Sequence, residues 1–364
     1  LDRSKRRHPA EIFAGDPAAN RTLAFLDRPD VRAAMPAYAH ASGFVGQARA
    51  DDIVEGNLQL TIVTAAGEER VVWPLRPPLI PSSQPPTDFP VTDELKAKKI
   101  RRLSGRLACT ACKTPLRELE PRCPACGATF EFSATMLDCM SPTQRATVPA
   151  VGEMHDSLGG YDEVMHALVH RFADGLILDC GAGLKSRIYP NVVNLEIMAY
   201  PSTDVRAFNE NLPFIDGTFD AAFSLATLEH VRDPFAAGRE IMRVLKPGGL
   251  VYSMVPLMEP FHGYPNHFYN MTVEGHKNIF GPAYEPLDAS VPLSGNAMHA
   301  LSGLLKAWLR GLAPSARDEF LNLRLGELLG APDDYAHRDF VRHLTPEVAM
   351  DIAAMTCLLG RKRT

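Results

Sequence analysis

Between residues 176 and 256 the chain alternates short apolar runs with turns and helical stretches, and this order constrains its fold more than any other feature. Leu176-Ile177-Leu178-Asp179-Cys180 runs into Gly181-Ala182-Gly183. Val192-Val193-Asn194-Leu195-Glu196 is a second apolar run and ends on an acid. Phe219-Asp220-Ala221-Ala222-Phe223-Ser224-Leu225 is a third. From Asp233 to Leu245, Phe235, Ile241, Val244 and Leu245 recur at helical spacing. Asp233 stands as N-cap, Pro234 at the first helical position, and Lys246-Pro247-Gly248-Gly249 as the stop. Leu250-Val251-Tyr252-Ser253-Met254-Val255 then reads as a further strand. Apolar strands alternating with helices build a parallel sheet flanked by helices. The expected class is therefore α/β, with a Rossmann-like doubly wound sheet over residues 150–290.

The remainder of the chain is marked by proline and cysteine. Seven of the seventeen residues from Pro74 to Pro90 are proline, which forbids a helix or a central strand and predicts an extended linker or arm. Before it, Asn57 to Val63 alternates as a strand, Ala65-Ala66-Gly67-Glu68 is a turn, and Arg70-Val71-Val72-Trp73 is the return strand. A lone hairpin is marginal, so residues 1–73 read as a small N-terminal β-containing module that needs further support. Residues 74–104 read as a Pro-rich and basic linker, 105–135 as a metal-binding ribbon, and 291–364 as a helical extension. In that extension Met298, Leu301, Leu304, Leu305, Trp308 and Leu312, then Phe320, Leu323, Leu325 and Leu328, predict two amphipathic helices that pack on the core or face a partner.

Cys109, Cys112, Cys123 and Cys126 form C-x2-C-x10-C-x2-C. Each C-x2-C knuckle turns tightly and aims two thiolates at one point, which suits one tetrahedral zinc ion with a structural role. Thiolate ligation calls for a reducing compartment, and residues 1–7 are polar with no apolar run of a secretory leader, so the expected location is cytoplasmic. No apolar run approaches the ~20 residues of a membrane span. Residues 94–126 hold nine Lys or Arg against three Glu, an excess of +6, while the whole chain carries a net charge of -5. Locally this reads as an RNA or phosphate contact, or as a solvated basic face around an anionic tetrathiolate. Globally it gives no nucleic-acid footprint.

The Gly-Ala-Gly turn at a strand end permits close backbone approach of a nucleotide-like ligand. Glu196, at the end of the next strand, is placed to accept both ribose hydroxyls. Ser186 stands where a dinucleotide fingerprint has its third glycine, which favours a nucleoside-sized ligand. With Asn211-Leu212-Pro213-Phe214-Ile215-Asp216-Gly217-Thr218-Phe219-Asp220, Leu228-Glu229-His230-Val231 and Leu245-Lys246-Pro247-Gly248-Gly249 in order behind them, these residues resemble the class I S-adenosylmethionine-dependent methyltransferases, in their small-molecule branch. The match covers about residues 155–256. It implies a methyltransferase sheet, S-adenosylmethionine as cofactor, Asp179, Gly181, Ala182 and Gly183 at its methionine end, Glu196 on the ribose, and Leu225 beside it. Where the family often has Asp-Ala near the adenine this chain has Phe208-Asn209, which implies stacking by Phe208 and a hydrogen bond from Asn209.

Glu229-His230 follows the fourth strand of that pattern, at the carboxyl edge where such sheets bind ligands. His230 is a candidate general base, or else a residue packing the following helix. The related ubiquinone-pathway O-methyltransferases carry a metal-linked Glu-x-x-Glu-His here; Ala226 replaces the first Glu, so no active-site metal is expected. After the fifth strand, Phe261-His262-Gly263-Tyr264-Pro265-Asn266-His267-Phe268-Tyr269 crowds aromatic and polar tips into one loop. It resembles a loop of methyltransferases encoded among glycan-assembly enzymes. His262 and His267 join His230 as candidate bases, and Tyr264, Asn266 and Tyr269 as acceptor-binding residues.

The expected reaction is O-methylation of a small-molecule or glycan-linked hydroxyl. The alternative is an rRNA or tRNA base methyltransferase whose zinc ribbon holds RNA, because similar ribbons precede the catalytic domain in some large-subunit rRNA guanine methyltransferases. Against it stand the net charge and Ala226-Thr227-Leu228-Glu229, where an amino-methylating enzyme carries Asn-Pro-Pro-Tyr. Arg28-Pro29-Asp30-Val31-Arg32-Ala33-Ala34-Met35-Pro36 with Ser42-Gly43-Phe44 is similar to a small β-sandwich module of glycan-modifying enzymes. The acceptor's identity and the oligomeric state, a homo-oligomer included, stay open at this point.

Overall fold

The computed structural model describes residues 86–149, 160–263, 266–292 and 295–354, and the strands 11–14, 24–25, 44–45, 53–54, 57–64 and 67–74. Tyr264, Cys357, most of the Pro-rich stretch and most of residues 28–44 lie outside the described residues. The chain forms two compact units, Leu1–Pro81 and Ser82–Thr364.

In the first unit Asn57–Thr64 and Gly67–Pro74 pair antiparallel from Thr64↔Gly67 to Asn57↔Pro74. Glu11–Ala14 and Ile53–Val54 pair with the other edge of Asn57–Thr64. The hairpin thus gains the additional strands that an isolated pair lacks.

The second unit is built on a seven-stranded sheet: β1 Glu131–Phe132, β2 Leu137–Asp138, β3 Ile177–Cys180, β4 Val192–Glu196, β5 Val205–Arg206, β6 Phe219–Leu225 and β7 Leu245–Met254. The strand order is β1-β2-β5-β4-β3-β6-β7, and every pairing is parallel except β1 with β2. The order reverses beside β3, so the carboxyl ends of β3, β4 and β6 open onto the crevice where such sheets bind ligands.

Strand alternation decides the two faces. Ile177, Val192, Ala221 and Phe223 pack with Met165, Leu168 and Val169 of α2 (Glu163–Arg171). Leu178, Cys180, Val193, Leu195 and Ala222 pack on the other face with Ala237, Ile241 and Val244 of α3 (Pro234–Val244). Asp233 accepts from the Ala236 amide and caps α3 where expected. The helix ends at Val244, and Lys246 to Gly249 already belong to β7, with a register shift between Phe219 and Ala221.

The stretch expected to be a linker contains a helix, α1 (Asp93–Arg101), capped by Thr92. Its basic residues divide: Lys98 and Arg101 are exposed, while Lys96 and Lys99 are buried. Lys99 is 1% exposed and pairs with buried Asp204 at 2.5 Å. Lys96 donates to the Pro201 carbonyl, and Arg102 to the carbonyls of Pro190, Asp174 and Gly175. The ribbon shares this core: Ile100, Leu103, Leu107, Cys109, Leu116 and Cys123 belong to the same buried cluster as Leu178 and Phe214.

Beyond the sheet, Ala297–Arg310 and Pro314–Leu321 are helical, and Leu325–Leu328 is a 3-10 turn. Leu312, Ala316, Phe320 and Phe340 form a small core there, closed by the Trp308 indole donating to the Phe340 carbonyl. Among the described residues no helix is long and apolar enough to cross a membrane.

Candidate functional site

The turn after β3 is a cradle of backbone. Gly181 and Gly183 have φ of 76° and 66°, which L side chains rarely adopt. A Cβ on Gly181 would also collide with the Thr227 side chain. The glycine turn therefore lies directly against the segment after β6. Asp179 is 2% exposed and accepts from the Tyr161 hydroxyl at 2.7 Å; burial holds its carboxyl above the usual range. Glu196, at the end of β4, accepts from the Gly183 amide at 2.9 Å and from the Ile197 amide at 2.7 Å, and burial raises it too. Oε1 also accepts from the Met198 amide at 3.4 Å, so Oε2 is the oxygen that keeps a second lone pair for a ligand hydroxyl. After β5, Asn209 is 7% exposed and its Oδ1 has no partner, while Phe208 beside it is half-buried. A buried acceptor without a donor next to an aromatic ring fits an adenine amino group. Leu225 ends β6 half-buried at the same edge. The donor set and the glycine cradle thus fit a nucleoside sulfonium such as S-adenosylmethionine.

The three histidines meet. Their ring centroids lie 5.2 Å (His230–His262), 5.7 Å (His230–His267) and 4.2 Å (His262–His267) apart. Ala226 enters this segment with φ 46°, an unfavourable backbone for a non-glycine residue. Thr227 then starts the 3-10 turn Leu228–His230. The Phe268 amide donates to the Glu229 carbonyl at 2.7 Å and ties the loop to that turn. Nδ1 of His230 lies 2.7 Å from the Asn266 carbonyl oxygen, and Nδ1 of His262 lies 3.0 Å from that of Pro260. A carbonyl only accepts, so each Nδ1 carries the proton and each Nε2 keeps its lone pair. Gly263, at φ 81°, leaves room for the His230 ring, with which a Cβ would collide. Burial lowers the His230 and His267 imidazoles below their ordinary pKa.

His267 differs from the other two. Its Nε2 donates to the Tyr269 carbonyl at 3.1 Å and its Nδ1 accepts the His262 amide at 3.3 Å. Both of its nitrogens are engaged within the loop, whereas Nε2 of His230 and of His262 is not. Tyr269 donates to the Arg232 carbonyl, and Asn266 serves here through its backbone. Tyr264 lies outside the described residues.

Two groups at the site carried no role in the sequence reading. Tyr161 has no motif to announce it. Glu229 stands next to His230 and is 0% exposed; neither carboxylate oxygen has a hydrogen-bond partner, and burial pushes its carboxyl up to about 8. Its position before a candidate base was the available signal.

The four cysteines converge. Cys109 and Cys126 sulfurs are 3.6 Å apart, as are those of Cys112 and Cys123, and all four lie within 4.8 Å of one another. These contacts are far longer than a disulfide bond of about 2.05 Å. They match the spread of about 3.8 Å expected for sulfurs on a tetrahedral ion with bonds of about 2.3 Å. The cluster is pinned to the sheet domain. Ala108 donates to the Pro213 carbonyl, Ile215 to that of Arg106, and the Asn211 amide to that of Thr110; Lys113 pairs with Glu240 of α3 at 2.7 Å.

Residues 180–253 match the model of a family described as a methyltransferase domain. An uncharacterized methyltransferase of Mycobacterium sp. (strain KMS) is 46% identical over 61 residues, 16% of this chain and 24% of that protein. Another, from Mycobacterium tuberculosis, is 43% identical over 65 residues, 18% of this chain and 26% of that protein. The chain thus spans about a quarter of the length of these relatives. A SAM-dependent methyltransferase of known structure from Thermotoga maritima aligns at 21% identity over 32% of this chain and 72% of its own, with a TM-score of 0.23, too slight a superposition to carry weight. Over residues 180–253 the chain is thus similar to a methyltransferase domain, and over 61 to 65 residues to uncharacterized methyltransferases of mycobacteria.

Proposed function

We propose that the chain is an S-adenosylmethionine-dependent methyltransferase acting on a hydroxyl of a small molecule or glycan-linked acceptor. The observation that carries this reading is the contact between the Gly181 turn and Thr227, which sets the cofactor cradle against the turn bearing Glu229 and His230. When bound, the cofactor supplies a methyl group on a sulfonium. Asp179, Gly181, Ala182 and Gly183 hold its methionine end, Glu196 its ribose, and Phe208 and Asn209 its adenine. The chain's remaining task is to present an acceptor oxygen in line and take its proton. The lone pairs on Nε2 of His230 and His262 suit that task, worth about 10²–10⁴-fold in rate for a placed general base. Tyr269, Asn266 and the helical extension border the acceptor's approach; the Phe261 amide donates to the Asp351 carbonyl of that extension.

The ribbon is proposed to hold one structural zinc ion and to brace the sheet. Its four thiolates fill a tetrahedron and leave no position for substrate. The internal use of Lys96, Lys99, Arg102 and Lys113 favours bracing over RNA binding. Calorimetry with S-adenosylhomocysteine tests the cofactor assignment: one site per chain is expected, and its absence in folded protein overturns the reading.

A further inference from the structure

We infer that Glu229, His230 and His262 form a second metal site, separate from the cysteines, that takes a first-row divalent cation. One ligand atom from each lies within 4.8 Å of the others. The Glu229 carboxylate is the unusual member. It is completely buried, and neither oxygen meets a donor in the protein. A buried carboxylate without partners is costly, and a cation is the partner such a group takes. His230 points Nε2 toward it, 3.9 Å from Oε1. Both imidazoles present the arrangement of metal ligands, in which Nδ1–H is fixed by a backbone carbonyl and Nε2 is left to coordinate. A carboxylate lies behind His262, with Glu259 Oε2 at 3.4 Å from its Nδ1. Bonds of about 2.0–2.2 Å would need only a small closure of the three side chains. Two imidazoles and one carboxylate suit zinc, iron(II) or cobalt(II) better than magnesium or calcium, which prefer all-oxygen shells. Three protein ligands leave at least one position open to solvent or an acceptor oxygen. The absence of a Glu at Ala226 therefore does not remove metal binding, because His262 brings a third ligand from the loop after β7.

The site rests on side-chain geometry alone. Its role rests on the methyltransferase reading: with the ion bound, the Nε2 lone pairs of His230 and His262 are spent on it, and in place of base catalysis by either ring an acceptor hydroxyl on the ion would release its proton to water more readily and stay bound as the oxyanion. The test uses the whole 364-residue chain with its cysteine site filled with zinc as purified. Cobalt(II) chloride is titrated in by calorimetry and by visible absorption, and S-adenosylhomocysteine binding is measured on the same preparation. One further cobalt per chain is expected. Its affinity should fall at least about tenfold in Glu229→Gln and in His262→Ala, with the melting temperature and S-adenosylhomocysteine affinity kept. His262 is half-exposed on a loop, so its variant tests the site even where a change at buried Glu229 disturbs folding. No further cobalt in the wild type, or equal binding by a folded His262→Ala, overturns the site. Cofactor binding without the second ion sinks the site and leaves the methyltransferase reading intact; a second ion without cofactor binding does the reverse.

Discussion

Gly181 is the residue on which the site turns. Its φ of 76° and its closeness to Thr227 leave no room for a side chain. Gly181→Val should abolish S-adenosylhomocysteine binding in calorimetry and lower the melting temperature; unchanged affinity would remove this turn from the cofactor site. Glu196→Ala should weaken binding by about 1.5–3 kcal/mol, roughly 10- to 150-fold in Kd, as charge-assisted hydrogen bonds to a ribose are lost. The histidines separate by the state of their nitrogens. His230→Ala and His262→Ala should keep cofactor affinity and lose about 10²–10⁴-fold in kcat. His267→Ala should lower kcat by misplacing the loop and leave the shape of the pH–rate profile unchanged. A shift of that profile in His267→Ala would make it the titrating base after all.

The elements on either side of the glycine turn were legible because their signals are local. Three apolar runs, one acid and two glycines locate β3, β4 and β6 within a residue or two, and Asp233-Pro234 starts α3 where expected. Helix α1 was hidden by its surroundings: prolines precede it and lysines cover it. Lys99 becomes a buried residue only through Asp204, more than a hundred residues away. Glu229 was hidden for the same kind of reason, since its burial depends on the loop that Phe268 ties down. The topology could place three histidines at one sheet edge, but not say which nitrogen each would spend. The convergence of the four cysteines was legible from their spacing, while the mounting of that segment on the sheet was not. Glu240 is the residue that mounts it, accepting from the Leu212 amide, Lys113 and Arg243. Burial alone would raise the Glu240 carboxyl, but Arg243 and Lys113 hold it below the usual range. A depressed native pKa adds stability above the ordinary carboxylate pKa of about 4.3, and this is lost as pH falls through the lower native value. Glu240→Gln should therefore melt earlier than wild type at neutral pH and lose less on acidification. Equal slopes of melting temperature against pH would contradict the clamp. If the four cysteines hold zinc as proposed, a chelator should lower the melting temperature rather than inhibit the folded protein reversibly.

At the scale of the molecule, the second unit combines a sheet braced by the four-cysteine segment with a loop after β7 that is tied to the helical extension through the Phe261 amide and the Asp351 carbonyl. The chain's net charge is -5, and of the cations around the cysteines Lys99 is spent on Asp204 and Lys113 on Glu240. The measurement that bears most directly on the account is methyl transfer from methyl-labelled S-adenosylmethionine. It is offered in parallel to RNA, sugar nucleotides and small hydroxyl compounds, with S-adenosylhomocysteine formation followed alongside. The account predicts label on an oxygen of a small or glycan-linked acceptor, one S-adenosylhomocysteine per label, and loss of both in Gly181→Val. Label on an RNA base, or a bound cofactor with no transfer to any hydroxyl compound, would contradict it.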